Sequence, residues 1–400
     1  MSKISRGCVE PGRQFMNAAQ TYDTAVIGAG VFGAWTAYHL RESGQAVALL
    51  DGYGPANSRA SSGGESRIIR MGYGAEEVYT RWAARALALW QDFFRKVGRP
   101  LFHRTGVLWL AQADDTYTLA TLETLALVGV KFERLTPAEL ESRFPQFTLG
   151  PEVWGVFEPD SGVILARSAV REVVREAVGR GVTYLPEAVV APDVRGRLDC
   201  VKTESGLKLA AANFVFACGP WLPKIFPRLL GEWIRPTRRE VFFFGVEAGD
   251  RRFTPPAMPA WVDFRELVYG VPDLEGRGFK LAIDAHGPPF DPDAGERLTT
   301  AEGLASARER LARLLPGLRD APVVETRVCQ YENTPNGDFL IDRHPDFENV
   351  WLVGGGSGHG FKHGPALGEY LAGKVTRADT ELEPRFVLSS EGKARQRLVY

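Results

Sequence analysis

The sequence predicts an α/β fold: a parallel sheet interleaved with a second domain formed by an antiparallel sheet. Three observations predict it. The apolar, β-branched run YDTAVIG (22–28) ends in glycine, the helix-spaced VFGAWTAYHLRES follows, and AVALLD (46–51) reads as a second strand, so together they make one βαβ unit. Further along, LKLAAANFVFACG and NVWLVGGG (349–356) read as buried strands that return to the same sheet. From about Glu240 the pattern changes to aromatic segments, VFFFGVE, ELVYGVP and GFKLAID, broken by proline-rich loops such as RRFTPPAMPAW. This is the mark of an antiparallel sheet that would roof a ligand pocket.

The GAGVFG turn places Gly28, Gly30 and Gly33 at the strand-to-helix junction, a Rossmann-like fingerprint in its proper βαβ context. Gly28 permits the tight turn, Gly30 lets backbone approach a pyrophosphate, and Gly33 lets helix and strand pack closely. The helix start then offers unpaired N–H groups and positive dipole to phosphate. Asp51 closes the second strand, where its carboxylate can accept from ribose hydroxyls. The motif alone serves FAD and NAD equally.

The remaining elements follow from local signals. Val78, Trp82, Leu89, Phe93 and Val97 lie at near-helical spacing, which makes 78–97 a scaffold helix. Thr136, Pro137 and Glu139 form a capping-box start with proline at the first helical position. Ser168 is expected to begin another helix, with Val170, Val173, Val174 and Ala177 inward and Gly181 at its end, followed by strands VTYL and EAVV. Ser205-Gly206 joins LDCVKTE to LKLAAANFVFACG as a hairpin. RVCQYENTPNGDFLIDRHP (327–345) puts Cys329 on a strand, with a turn and a short second strand after it. Near Val323 the chain is expected to return to the cofactor domain.

Composition narrows the partners. At 400 residues and 44% hydrophobic content the chain can bury a substantial core. Its 48 basic and 49 acidic residues carry no net field that would recruit nucleic acid or an anionic membrane, which leaves a small molecule as the partner. Cys8, Cys200, Cys218 and Cys329 are scattered without a CxxC pair. That excludes a zinc cage or disulfide scaffold, predicts no metal, and fits a cytoplasmic protein. Residues 1–20 read as a loose polar extension without a secretory apolar run, and no apolar run reaches the length of a membrane span. A monomer or small homo-oligomer is expected.

Downstream of GAGVFG occur, in this order, GESRIIRMGYG (64–74), GFKLAID (278–284), VCQYENTPNGDFLIDRHP (328–345) and GGGSGHGFKHGPALGE (354–369). Together they resemble the family of monomeric sarcosine oxidase, N-methyltryptophan oxidase and pipecolate oxidase, FAD-dependent amine oxidases of the D-amino acid oxidase-like fold. The resemblance runs from about Tyr22 to about Leu382. It implies a discontinuous FAD-binding domain (21–100, 158–233 and 325–385), a substrate domain (101–157 and 234–324), and a tail at 386–400.

By itself a lone cysteine on a strand reads as packing. The resemblance instead makes Cys329 the thioether link to FAD, a plausible use of a thiolate nucleophile. It implies that Lys280 sits over the flavin and promotes its reaction with oxygen, that Arg67 lies beside the ring, and that Arg70 and Lys362 grip the substrate carboxylate while Tyr269 lines the pocket. Further FAD contacts are implied at Val31, Phe32, Ser61, Ser62, Ile68, Val189, Gly219, Trp221, Gly356, Gly358, His359, Gly360, Phe361 and Lys362. The implied reaction is oxidation of secondary or N-methylated amino acids by hydride transfer to flavin, with imine hydrolysis and peroxide formation. Alternatives within the fold are a fructosyl amino acid or primary amine oxidase, a dehydrogenase, or a non-catalytic flavoprotein.

Two positions depart from the family pattern. Sarcosine-oxidase-like members carry histidines four residues before the arginine matching Arg67 and four after the lysine matching Lys280; here those places hold Gly63, expected to open space near the flavin, and Asp284. A carboxylate at Asp284 facing the pocket is expected to repel an acidic substrate and favour a cationic one. A strand continuing past Asp284 would put His286 on the same face.

Overall fold

The computed structural model describes residues 21–193, 195–285, 287–377 and 381–388. Within them, Tyr22–Ile27 lies at the centre of a parallel sheet, between Lys208–Phe216 and Val47–Leu50. Val350–Gly354 extends it on one side, Thr183–Leu185 on the other, and Leu340–Arg343 adds an antiparallel edge. The middle strands are apolar on both faces because both are covered. Ala25, Val26, Val215 and Leu352 have no exposed surface. One cover is a helical layer in which Val31–Glu42 packs against Gly364–Thr376 and Ala166–Gly179.

A second sheet of eight strands runs in the order Val323–Asn333, Arg235–Phe244, Phe279–Ile283, Val268–Val271, Ala260–Asp263, Val107–Ala111, Trp154–Glu158 and Glu133–Leu135. All its pairings are antiparallel except that of Ala260–Asp263 with Val107–Ala111. Strand alternation divides its residues. Phe242, Phe244, Phe279 and Leu281 turn to one face, where Ala307, Leu311 and Leu314 of the helix Ala301–Leu314 join them in a dry core. The opposite face carries Arg239, Val241, Phe243, Lys280, Ala282 and Cys329 and forms the roof of the site.

Most local signals hold, with instructive differences. Helix Glu77–Lys96, the Thr136–Glu139 capping box and the hairpin at Ser205-Gly206 fall where the sequence puts them. The helix expected from Ser168 begins earlier, at Ala166, with Leu165 at the N-cap position and no side-chain cap. Of EAVV, only Val189 makes a bridge, to Thr203. Val323–Asn333, where the return to the cofactor domain was expected, pairs with Arg235–Phe244 in the antiparallel sheet, and the chain rejoins the parallel sheet at Leu340–Arg343.

The 386–400 tail begins inside the body: Phe386 is buried against Trp82, Tyr79 and Phe339. Residues 1–20, which include Cys8, the last residues from 389 onward, and His286 lie outside the described residues. Among those described, no helix is long and apolar enough to cross a membrane.

Candidate active site

The glycine turn is held by sterics that no other residue satisfies. Gly28 has φ +105°, and a Cβ there would sit 2.4 Å from the carbonyl oxygen of Ala217; a Cβ on Gly33 would sit 1.9 Å from that of Gly28. Asp51 closes the turn by accepting from the N–H groups of Ala29 (2.7 Å), Tyr53 (2.9 Å) and Gly54 (2.8 Å). Burial raises its pKa against those three bonds. A carboxylate has about four acceptor positions, so one remains for a hydroxyl. Ser62 Oγ accepts from the first helical N–H, that of Val31, at 3.0 Å.

Beyond this turn opens a cavity of about 430 Å³ bordered by Gly28, Gly30, Val31, Phe32, Asp51, Ser61 and Ser62. Val189, Gly219, Trp221, Gly356, Gly358, Gly360 and Phe361 complete the expected part of its wall. Two buried polar atoms in that wall, Ser61 Oγ and Glu332 Oε2, have no hydrogen-bond partner among the described residues. Burial raises the Glu332 carboxyl to about 8 despite a bond from the Gly356 N–H. A glycine cradle, a helix start and unsatisfied buried donors and acceptors fit a dinucleotide such as FAD.

A second, smaller cavity adjoins the first, and Arg67, Tyr331 and Gly358 border both. Its wall brings together Arg67, Ile68, Arg70, Tyr269, Asp284, Cys329, His359 and Lys362, drawn from segments far apart in sequence. Ile68, Cys329, His359 and Lys362, expected at the cofactor, therefore face this cavity. His359 turns away because its Nε2 bonds the Gly337 carbonyl oxygen at 2.9 Å and its ring stacks on Phe339. Gly33 borders neither cavity, since it is taken up by packing against Gly28.

Arg70 and Lys362 are both buried, 3% and 5% exposed, and meet through Tyr73. The Arg70 guanidinium lies 4.8 Å from the Tyr73 ring centre, and it also stacks near Trp109 and Phe264. Lys362 Nζ donates to the Tyr73 hydroxyl at 2.8 Å and to the His359 carbonyl oxygen at 3.1 Å. Arg70 also donates to the Gly72 carbonyl oxygen. Behind it, the fully buried Glu158 accepts from Met71 N, Gly72 N, Trp109 Nε1 and Ser161 Oγ, which pins the segment that carries the arginine.

Lys280 borders neither cavity and lies buried behind the junction. Its Nζ donates to the Ser66 carbonyl oxygen at 2.9 Å and stands 5.3 Å from the Tyr269 ring centre. Desolvation, helped by the Arg67 cation, lowers its pKa to about 7. Cys329 Sγ is 3.4 Å from Arg67 Nη2. Asp284 follows the end of its strand, accepts from Tyr331 Oη at 2.7 Å, and has its pKa raised by burial. Gly63 has no room for a side chain: a Cβ would sit 1.9 Å from the Asn57 carbonyl oxygen.

Three residues of this neighbourhood were not singled out in the sequence: Glu158, Glu332 and Arg239. Each lies within a strand, where a charged residue reads as an exposed edge.

Fold and site define a dinucleotide-binding protein whose second sheet roofs a buried cationic pocket. Residues 23–374 match the model of the family described as FAD dependent oxidoreductase (DAO), and the chain belongs to that family. It is 31% identical to the monomeric sarcosine oxidase of Bacillus sp. (strain NS-129), over 90% of this chain and 94% of that protein. It is also 31% identical to the peroxisomal sarcosine oxidase of Homo sapiens, over 88% and 91%. Among solved structures, the L-proline dehydrogenase of P. horikoshii shares the fold with a TM-score of 0.79 at 21% identity, over 91% of this chain and 95% of that one.

Proposed function

We propose that the protein is an FAD-dependent oxidase of secondary or N-methylated amino acids, with the flavin joined to Cys329 by a thioether. The observation that carries this reading is the convergence of Arg70 and Lys362, through Tyr73, on a cavity that Arg67 and Tyr331 share with the dinucleotide cradle. Kinship with proteins named sarcosine oxidases supports the same substrate class.

Bound FAD supplies the hydride acceptor. Arg70 offers a planar fork and Lys362 a point charge, so together they hold an amino-acid carboxylate and set the direction of its α-amine. The aromatic rings around Arg70 exclude water and strengthen that grip. Arg67 provides a cation at Sγ of Cys329, the position from which a thiolate would attach the cofactor. Lys280, charged below about pH 7, holds positive charge beside the site where oxygen would be reduced. Oxygen as acceptor, peroxide as product and a cytoplasmic location belong to this proposal.

Anaerobic mixing with a panel of N-methyl, cyclic and glycated amino acids tests it. N-methyl or cyclic members should bleach the flavin absorbance, and readmitted air should restore it with stoichiometric peroxide. If no secondary amino acid bleaches the flavin, the reading fails; bleaching without peroxide in air makes it a dehydrogenase.

A further inference from the structure

Arg239 is the charged group of the second cavity that the proposed reaction leaves unused. It lies on strand Arg235–Phe244, opposite Cys329 in register, 4% exposed, and it borders the same cavity as Arg70 and Lys362. Only one of its nitrogens is engaged: Nη1 donates to the Arg238 carbonyl oxygen at 2.9 Å, while Nε and Nη2 have no hydrogen-bond partner among the described residues. The guanidinium carbon lies over the Tyr331 ring, 4.6 Å from its centre. Arginine cannot shed its proton, and a buried guanidinium without an anion is costly.

The carboxyls of the cavity do not answer this need. Val241 pairs with Ala282, so continuing the register by two residues sets Asp284 across from Arg239. Yet Asp284 forms no ion pair with it within 4.0 Å; its Oδ1 is taken by the Tyr331 hydroxyl, and burial raises its pKa against the more distant pull of the Arg239 cation. Asp263 is bound to the turn amides of Arg265 (3.1 Å) and Glu266 (3.0 Å). One substrate carboxylate at Arg70 and Lys362 leaves Arg239 unmatched.

We propose that Arg239 recognises a second anionic group on the substrate, and that the pocket takes a secondary amino acid carrying two acidic groups, an N-substituted amino dicarboxylate. This rests on the carboxylate clamp described above. It also runs against the expectation drawn from Asp284 alone, whose Oδ1 already accepts from the Tyr331 hydroxyl at 2.7 Å.

Succinate and butyrate are matched in length and differ by one carboxylate, and each can be titrated into the flavin-loaded protein by its perturbation of the flavin absorbance. Wild type should bind succinate about tenfold more tightly than butyrate, the order expected for one charge-assisted hydrogen-bonded contact. Arg239→Gln should erase that preference while butyrate binding and flavin content stay as in wild type. Should the glutamine variant fail to fold, Arg239→Lys should reduce the preference by loss of the fork. Equal binding of the two acids by wild type, or a preference that survives in Arg239→Gln, overturns the proposal. Butyrate binding that is indifferent to Arg70→Ala overturns the clamp and this inference together, whereas butyrate dependent on Arg70 without a succinate preference overturns the role of Arg239 alone.

Discussion

Arg67 Nη2 stands 3.4 Å from Cys329 Sγ, although 262 positions separate the two residues in sequence. The arginine arrives from the strand Arg67–Ile69, part of a separate three-stranded sheet with Gly162–Ile164 and Phe102–His103, and the cysteine from the edge of the eight-stranded sheet, so the contact forms only when these two sheets come together. At this range the Arg67 guanidinium donates to the cysteine sulfur and fixes where Sγ lies. Flavin should therefore remain with acid-precipitated wild-type protein and pass into the supernatant from Cys329→Ser. Arg67→Met should lower the covalently retained fraction without abolishing it, read from the absorbance of pellet and supernatant. A colourless wild-type pellet would remove the linkage while leaving FAD binding intact.

Lys280 is buried with a pKa near 7, the direction set first by desolvation and then by the Arg67 cation. It is charged below that pH and neutral above it. Since its charge would matter when electrons pass to oxygen, reoxidation by oxygen should slow as pH rises through about 7, and Lys280→Met should be slow and flat across the same range. Anaerobic reduction by substrate should change much less. Stopped-flow measurement of the two half-reactions separates them, and equal slowing of both would count against this division.

Arg70 and Lys362 should act as one clamp. Removing either leaves an anionic group poorly paired in a desolvated site, at a cost of roughly 2–5 kcal/mol of binding. Arg70→Ala and Lys362→Ala should each weaken binding of simple carboxylates with flavin content unchanged. Arg70→Lys should also be harmful, because it keeps the charge but loses the planar fork stacked among Tyr73, Trp109 and Phe264. Wild-type affinity in both alanine variants would point to an amine without a carboxylate.

What could be read from sequence depended on the range of the interaction. Gly28, Gly30, Gly33 and Asp51 act within one βαβ unit, so spacing alone exposed them. Arg70 and Lys362 converge across most of the chain, and no periodicity links them; only resemblance to a family did. Arg239 and Glu332 escaped both routes. Their inward orientation is set by pairing partners, Cys329 for Arg239 and Pro236 for Glu332, that sequence pattern does not specify. The early return expected at Val323 failed for a related reason: a long amphipathic strand can join either sheet, and pairing with Arg235–Phe244 decided it.

Glu332 gives a prediction in which the sign can be worked out. Burial raises its carboxyl from the ordinary glutamate range to about 8. Between those limits the folded chain holds a proton that the unfolded chain has lost, so the group's contribution to stability is fully present below the ordinary range and declines as pH rises to about 8. The decline is at most about 1.4 kcal/mol per pH unit for one group. Asp51 and Asp284 are shifted in the same direction and Lys280 oppositely, so the total slope is not diagnostic. The difference between wild type and Glu332→Gln is, because the amide keeps the shape and the acceptor for the Gly356 N–H while removing the titration. In flavin-free protein, urea midpoints should show the glutamine variant gaining on wild type steadily from mildly acidic pH to about 8 and then levelling. A difference that stays flat across this range would mean that water reaches the carboxyl in the folded state, and that the unsatisfied Oε2 is solvated within the cradle.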